Sequence, residues 1–187
     1  MFKKVGLMIM AMALCVGLTG CGTKEGIIKV ELYPDIAPIT VANFEKLIDE
    51  NYFDGTTFHR VIPEFMIQGG GSDKPADSIT GEFASNGIEN SLKHTRGVIS
   101  MARTDVKDSA TSQFFIMVGE QSPHLDGEYA AFGKVTSGIE YADEIVNVKR
   151  DNYNKPLKDQ TIKTIRKTGV NGETGAVEIE IVVEIRK

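Results

Sequence analysis

Cysteine is nearly absent, with two residues, Cys15 and Cys21, in a chain of 187. That excludes a disulfide-stapled scaffold and any cysteine-rich zinc or iron–sulfur site. Histidine is almost as scarce. His59, His94 and His124 are scattered along the chain, and no metal or other cofactor is expected. Basic charge is not in excess either: 21 Lys and Arg stand against 26 Asp and Glu, for a formal charge of −5 and a pI of about 5.3. A nucleic-acid partner, which calls for a basic face, is therefore not expected. The catalytic signatures G-x-S-x-G, the Walker loop and H-E-x-x-H are missing. Gly69-Gly70-Gly71 is followed by Ser72-Asp73-Lys74-Pro75 rather than by a helix, so it reads as a backbone turn and not as a phosphate cradle. Asp105 and Asp108 read as a solvated loop. What is present is an ordinary globular mixture, 41% apolar and 25% charged, long enough for one domain with a real core.

The N-terminus is distinct from the rest. Lys3 and Lys4 precede an uncharged, mostly apolar run from Val5 to Leu18. The run is shorter than the roughly 18 apolar residues of a membrane span and fits the core of a signal peptide. It ends in Leu18-Thr19-Gly20-Cys21, which resembles the lipobox of bacterial lipoproteins; a plain secretory signal with a chance cysteine is the alternative. The lipobox implies a signal peptide over residues 1–20, cleavage before Cys21, and acylation of the Cys21 sulfur. Residues 21–25 would then be a short tether and 26–187 the folded domain, held at the extracytoplasmic face of a bacterial membrane. Cleavage removes Lys3 and Lys4 and takes the formal charge from −5 to −7. Overall charge would not hold such a domain on an anionic membrane, so the acyl chains would have to.

Along the rest of the chain, Gly26–Tyr33 alternates apolar and polar residues as a half-buried strand does. Val41, Phe44, Leu47 and Ile48 share one helical face behind Pro38, a first-turn proline. Short strand-like segments follow: TTFHRVI, EFMIQ, GVISMA, SQFFIMV and AAFGKV. Residues 138–148 read as a helix with Ser137 as its N-cap. QTIKTIRKTGV and Val177–Ile185 return to strand. Many strands with two isolated helices indicate a closed barrel with helices at its ends.

One stretch concentrates chemistry. FHRVIPEFMIQGG, from Phe58 to Gly70, is followed by GVISMAR, SQFFIM and HLDGEYAAFGKV. Four blocks in this order resemble the cyclophilin family of peptidyl-prolyl cis–trans isomerases, over about Gly26 to Val170. The resemblance implies a closed eight-stranded antiparallel barrel capped by two helices, with the active site on its outer face. It assigns Arg60 as the catalytic cation, with Gln68 and Gln113 as polar groups beside it. It places the proline pocket at Phe65, Met66, Phe115 and Leu125. Ala102 and Arg103 would form an edge for the substrate backbone, and His124 and Tyr129 the rim. Substrates would be proline-containing polypeptides, and a monomer is expected. A cyclophilin-fold module that binds proline segments without turnover is the alternative function; a solute-binding lipoprotein is disfavoured because the chain lacks a two-lobed layout.

Alternation along SQFFIM puts Gln113 and Phe115 on one face and Phe114 and Ile116 on the other. The same rule points His59 away from Arg60 and makes it structural, and His94 reads as a loop residue. Several positions depart from the family. His124 stands where many relatives carry Trp, which implies weak binding of the macrocycle cyclosporin. Tyr129 replaces a His, and Arg103 replaces an Asn, a change expected to favour acidic substrates. The 72–90 segment departs most. Finally, the family's usual first strand has no room before Gly26, while Val177–Ile185 is an additional strand announced by Asn171-Gly172. That strand is expected to fill the vacant slot, pair on both sides and bring Lys187 near Gly26.

Overall fold

The computed structural model describes residues 22–187; the expected signal peptide over 1–20 and Cys21 lie outside the described residues. Eight strands and two helices follow in the order β1 (Thr23–Leu32), α1 (Pro38–Asp49), β2 (Thr57–Ile62), β3 (Met66–Gly71), β4 (Val98–Met101), β5 (Phe114–Met117), β6 (Ala131–Ser137), α2 (Ile139–Val146), β7 (Thr161–Val170) and β8 (Val177–Arg186). The strands close into an antiparallel barrel in the order β1-β6-β4-β5-β3-β2-β7-β8. Among the described residues no helix is long and apolar enough to cross a membrane.

The barrel closes through β8. It pairs with β1 from Thr23↔Arg186 to Leu32↔Val177 and with β7 from Thr161↔Glu184 to Val170↔Val177. Val177, Ile179, Ile181, Val183 and Ile185 all point into the core, while Glu178, Glu180, Val182 and Glu184 stay half-buried on the outside. Closure removes both sheet edges. The chain end differs from the expected position. β1 begins at Thr23, three residues before its alternation becomes visible, because Glu184, Ile185 and Arg186 extend the ladder. Thr23–Glu25 is therefore strand rather than tether, and the Lys187 amide meets the Gly22 carbonyl at 3.2 Å, not Gly26. The β7–β8 connection is also longer than a two-residue turn. Asn171 Oδ1 accepts from the amides of Glu173 and Thr174, and the Asn171 amide bonds the Ala176 carbonyl.

Inside the barrel, Phe44 of α1 meets Phe53 (centroids 4.8 Å apart), Phe114 (5.4 Å) and Phe132 (5.1 Å). α1 buries the expected face, with Thr40 added. Its first turn is capped from a distance. Both oxygens of the buried Glu82 accept helix amides, from Ile39 at 3.0 Å and Thr40 at 2.8 Å, where the helix end favours negative charge. α2 begins without a serine cap: Ser137 belongs to β6, and Gly138 supplies the left-handed turn (φ +82°). The glycine run 69–71 extends β3 instead of turning. Gly70 (φ +78°) is an extra residue in β3 between the pairs Phe58↔Gly69 and Thr57↔Gly71. A Cβ on Gly69 would stand 2.8 Å from the Phe58 ring.

Candidate active site

A second, smaller apolar cluster lies outside the barrel wall. Met66, Val98, Phe115, Met117, Leu125 and Ala131 form it, with Phe65, Ala102 and Tyr129 packed on its margin. Strand alternation creates this two-sided wall: in β5, Phe114 and Ile116 join the main core, and Phe115 and Met117 join the outer cluster. Above that cluster sits a cavity of about 510 Å³. Arg60 from β2, Phe65, Met66 and Gln68 from the β3 region, and Phe115 from β5 line it. Ala102, Arg103, His124, Leu125, Glu128 and Tyr129 complete it. Of the residues expected at the site only Gln113 is missing from this lining. It borders an adjoining cavity of about 200 Å³, shared with Gln68, Ala102 and Arg103.

The polar side of the cavity is a chain of side chains. Arg60 Nη1 donates to Gln68 Oε1 at 3.3 Å, and Gln68 Nε2 donates to Gln113 Oε1 at 3.0 Å. Gln113 therefore orients Gln68, and Gln68 orients Arg60. His59 lies on the same outer face as this chain, contrary to the alternation argument. His59 and Arg60 together face the single residue Gln68 across a β-bulge. Phe58 and Val61 then point inward, leaving His59 and Arg60 outside. Burial pushes the His59 imidazole below its ordinary range, an effect only partly offset by the nearby Thr57 backbone and Gln113 side chain. A neutral ring thus lies beside the charged guanidinium. Strand alternation alone cannot reveal a bulge.

The apolar side is an aromatic frame. Phe65 and His124 face each other with centroids 6.0 Å apart, and Tyr129 meets Phe115 edge-on at 6.0 Å. Beneath Phe115 lies His94, which is not a solvent loop residue but only 1% exposed. Its ring stacks under Phe115 at 6.0 Å. Its Nδ1 is 3.0 Å from Asp126 Oδ1 and its Nε2 is 3.0 Å from Ser100 Oγ. Burial pushes the His94 imidazole down, despite Asp126. Burial would raise the Asp126 carboxyl, but bonds from the His94 amide and ring hold it below the usual range. An ionised carboxylate only accepts, so Nδ1 carries the proton and the Ser100 hydroxyl donates to Nε2. The network fixes the floor under Phe115 and holds Asp126, the residue that follows Leu125.

Arg103 is likewise turned inward. Its Nε and Nη2 each donate to the Glu128 carbonyl at 3.0 Å, and its Nη1 to the Thr104 carbonyl at 2.8 Å. The guanidinium carbon sits 4.7 Å from the Tyr129 ring centre and 5.1 Å from that of Phe83. With its side chain only 11% exposed and the Glu128 carboxylate 3.6 Å away, its charge is spent within the protein. The expected preference for acidic substrates therefore loses its basis. Arg103 instead braces Tyr129. The 72–90 segment takes part through Phe83, and through Asn90, which bonds the carbonyls of Glu82 and Ala131.

Comparison with known proteins fits this geometry. The family model for cyclophilin type peptidyl-prolyl cis-trans isomerases matches residues 19–167, leaving β8 outside the match. A peptidyl-prolyl cis-trans isomerase of Acinetobacter baylyi is 42% identical over 167 residues, 86% of this chain and 89% of its own length. Peptidyl-prolyl cis-trans isomerase B of Bacillus subtilis is 50% identical over 125 residues, 64% of this chain and 83% of its own. Among solved structures, a cyclophilin type isomerase of Cryptosporidium parvum superposes with a TM-score of 0.66 at 31% identity, covering 76% of this chain and 94% of that one. The same protein in the presence of the dipeptide Ala-Pro gives 0.63 at 27% identity, covering 89% and 99%.

Proposed function

The chain belongs to the cyclophilin-type peptidyl-prolyl cis–trans isomerases, and from that premise we propose that it turns X–Pro bonds at Arg60 while held outside the cytoplasmic membrane by a lipid on Cys21. The reaction breaks no bond. Rotation about an X–Pro amide faces a barrier of about 20 kcal/mol and takes about 10–100 s unaided. A catalyst has only to favour the twisted amide over both planar forms. Twisting localises a lone pair on the prolyl nitrogen. Arg60 offers that nitrogen a guanidinium N–H donor, and Gln68, steadied by Gln113, keeps the guanidinium aimed into the cavity. Phe65, Met66, Phe115 and Leu125 grip the proline ring while the acyl side turns, and the seated substrate would shield the otherwise exposed Arg60 from water and strengthen its interaction. An acceleration of 10⁵ requires about 7 kcal/mol, within reach of one aimed cation and a dry pocket.

The observation that carries the site assignment is the placement of Arg60 and Gln68 over the outer apolar cluster, in one cavity. Exchange spectroscopy on an X–Pro peptide with the purified protein tests it: cis–trans exchange should accelerate. Binding of the peptide without faster exchange would instead support a proline-segment binding module. The anchor reading rests on Leu18-Thr19-Gly20-Cys21 behind an apolar run. Clients would then be polypeptides folding after export. Cys21→Ser should release the protein from the membrane fraction or block its maturation; a variant that is processed and membrane-bound as before would contradict lipidation there.

A further inference from the structure

Basic side chains gather around the place where the chain leaves the barrel toward Cys21. Residues 149–157 form a small hairpin between α2 and β7. The Leu157 amide bonds the Lys149 carbonyl, and the Asp151 amide bonds the Lys155 carbonyl, both at 2.9 Å. Its tip carries Tyr153, 86% exposed, and its base Leu157, 64% exposed. Lys149, Arg150, Lys155 and Lys158 surround these two apolar side chains and are all exposed. Among the described residues Lys149, Arg150 and Lys155 have no carboxylate at ion-pair distance, although most other lysines and arginines do; Lys158 is bonded to the main-chain oxygen of the last residue, Lys187. The nearby acids are already engaged: Asp143 by Arg96, Glu144 by Lys24 and Lys187, and Asp151 by the amides of Tyr153 and Lys155. Asp151 and Asp159 each still subtract one charge from the four cations of this segment, which stays net positive. A chain with a formal charge of −5 thus carries a net positive patch here.

The patch adjoins the chain exit directly. Lys158 Nζ bonds the Lys187 carbonyl, and the Lys187 amide bonds Gly22, the residue after Cys21. Lys149, Lys158 and Lys187 line one depression of about 610 Å³ over Val148, with the paired Asp143 and Glu144 on its margin. Unpaired ammonium groups around an exposed tyrosine and leucine suit the interface of an anionic bilayer, where the aromatic ring sits at headgroup level and each lysine or arginine contributes about fivefold in binding.

We propose that the 149–157 hairpin with the adjoining Lys158 is a docking surface for anionic phospholipid headgroups. The proposal rests on the lipid anchor at Cys21, which would deliver this face to the bilayer. It also gives the anchored enzyme a fixed orientation. The Asn154 carbonyl of the same hairpin accepts from the Val61 amide, next to Arg60, so the catalytic strand would be held beside the membrane surface.

The chain contains no tryptophan, so Tyr153→Trp introduces a single reporter. The full chain carrying it, purified from membranes, is reconstituted in phosphatidylcholine vesicles with or without phosphatidylglycerol, both with brominated acyl chains. With phosphatidylglycerol the emission should shift to the blue and be quenched. High salt, or Lys149→Gln, Lys155→Gln and Lys158→Gln combined, should reverse both effects. A Val170→Trp reporter at the far end of β7 should respond to neither lipid. Equal emission in the two vesicle types, or equal quenching at position 170, overturns the docking surface. So does a raised KM for a vesicle-free peptide on Tyr153→Ser with Leu157→Ser when Tyr153→Trp emission is not quenched, since the hairpin would then serve polypeptide clients. The anchor is scored separately, by whether the protein sediments with vesicles in high salt. A chain that leaves the vesicles there loses the anchor, while the low-salt quenching still decides the docking surface.

Discussion

Removing residues 176–187 should unfold the domain rather than trim it. β8 buries five aliphatic side chains, Val177, Ile179, Ile181, Val183 and Ile185, each at most 8% exposed. At about 1.5–3 kcal/mol for each buried side chain, they contribute about 8–15 kcal/mol, against a total stability of about 5–15 kcal/mol for a domain of this kind. Truncation would also strip ladder bonds from β1 and β7 together, leaving two bare edges. Circular dichroism and urea unfolding of the truncated chain should show no cooperative transition. Ile181→Ala supplies a graded test in a chain that still folds. A closed barrel predicts a loss of about 2–5 kcal/mol there, whereas a strand laid outside an open barrel would lose within about 0.5 kcal/mol, as surface positions do. A truncated chain with the transition midpoint and turnover of the full chain would refute β8 as the closing strand.

Acidification should weaken the fold before any carboxylate titrates. His59 and His94 both have imidazoles depressed by burial, so the folded state binds fewer protons than the unfolded one once the pH drops below about 6.5. Their contribution is complete above that value and is lost progressively as the pH falls toward the folded-state values; a urea midpoint that stays flat between about pH 7.5 and 5.5 would remove this reasoning. Cyclosporin should bind weakly, because His124 occupies a rim position opposite Phe65. An additional 50 Å² or so of apolar contact from His124→Trp is worth about 1.2 kcal/mol, so the drug should tighten about eightfold with little change in peptide KM, and an unchanged drug affinity would contradict that role for position 124.

The parts of the fold and the site that were legible in the sequence are those governed by a period. Alternation assigned the two faces of β5, so Phe115 could be separated from Phe114, and the five-residue alternation of β8 demanded a core to cover. Blocks of familiar residues then located Arg60, Gln68 and the proline pocket. What remained hidden depends on contacts between distant segments or on a break in the period. The bulge at His59–Arg60 turns two neighbours to one face, and only the β2–β3 register shows it. Glu82 caps a helix more than forty residues away, and no local pattern in the 72–90 segment marks it. Arg103 looked available to a substrate because its partners, the Glu128 carbonyl and the rings of Phe83 and Tyr129, come from other loops. His94 carried no local signal at all, since Asp126 and Ser100 reach it from two other segments.

The most direct measurement is the kcat/KM of Arg60→Ala on an X–Pro peptide, read beside its urea unfolding curve. Arg60 is exposed and makes one long hydrogen bond, to Gln68, so its removal should leave the unfolding midpoint in place. If the guanidinium stabilises the twisted prolyl amide, kcat/KM should fall by about 10²–10³, equivalent to about 3–4 kcal/mol. Arg60→Lys should recover little of it, because a point charge lacks the planar fork of donors. Wild-type turnover in a folded Arg60→Ala protein would contradict catalysis at this cavity.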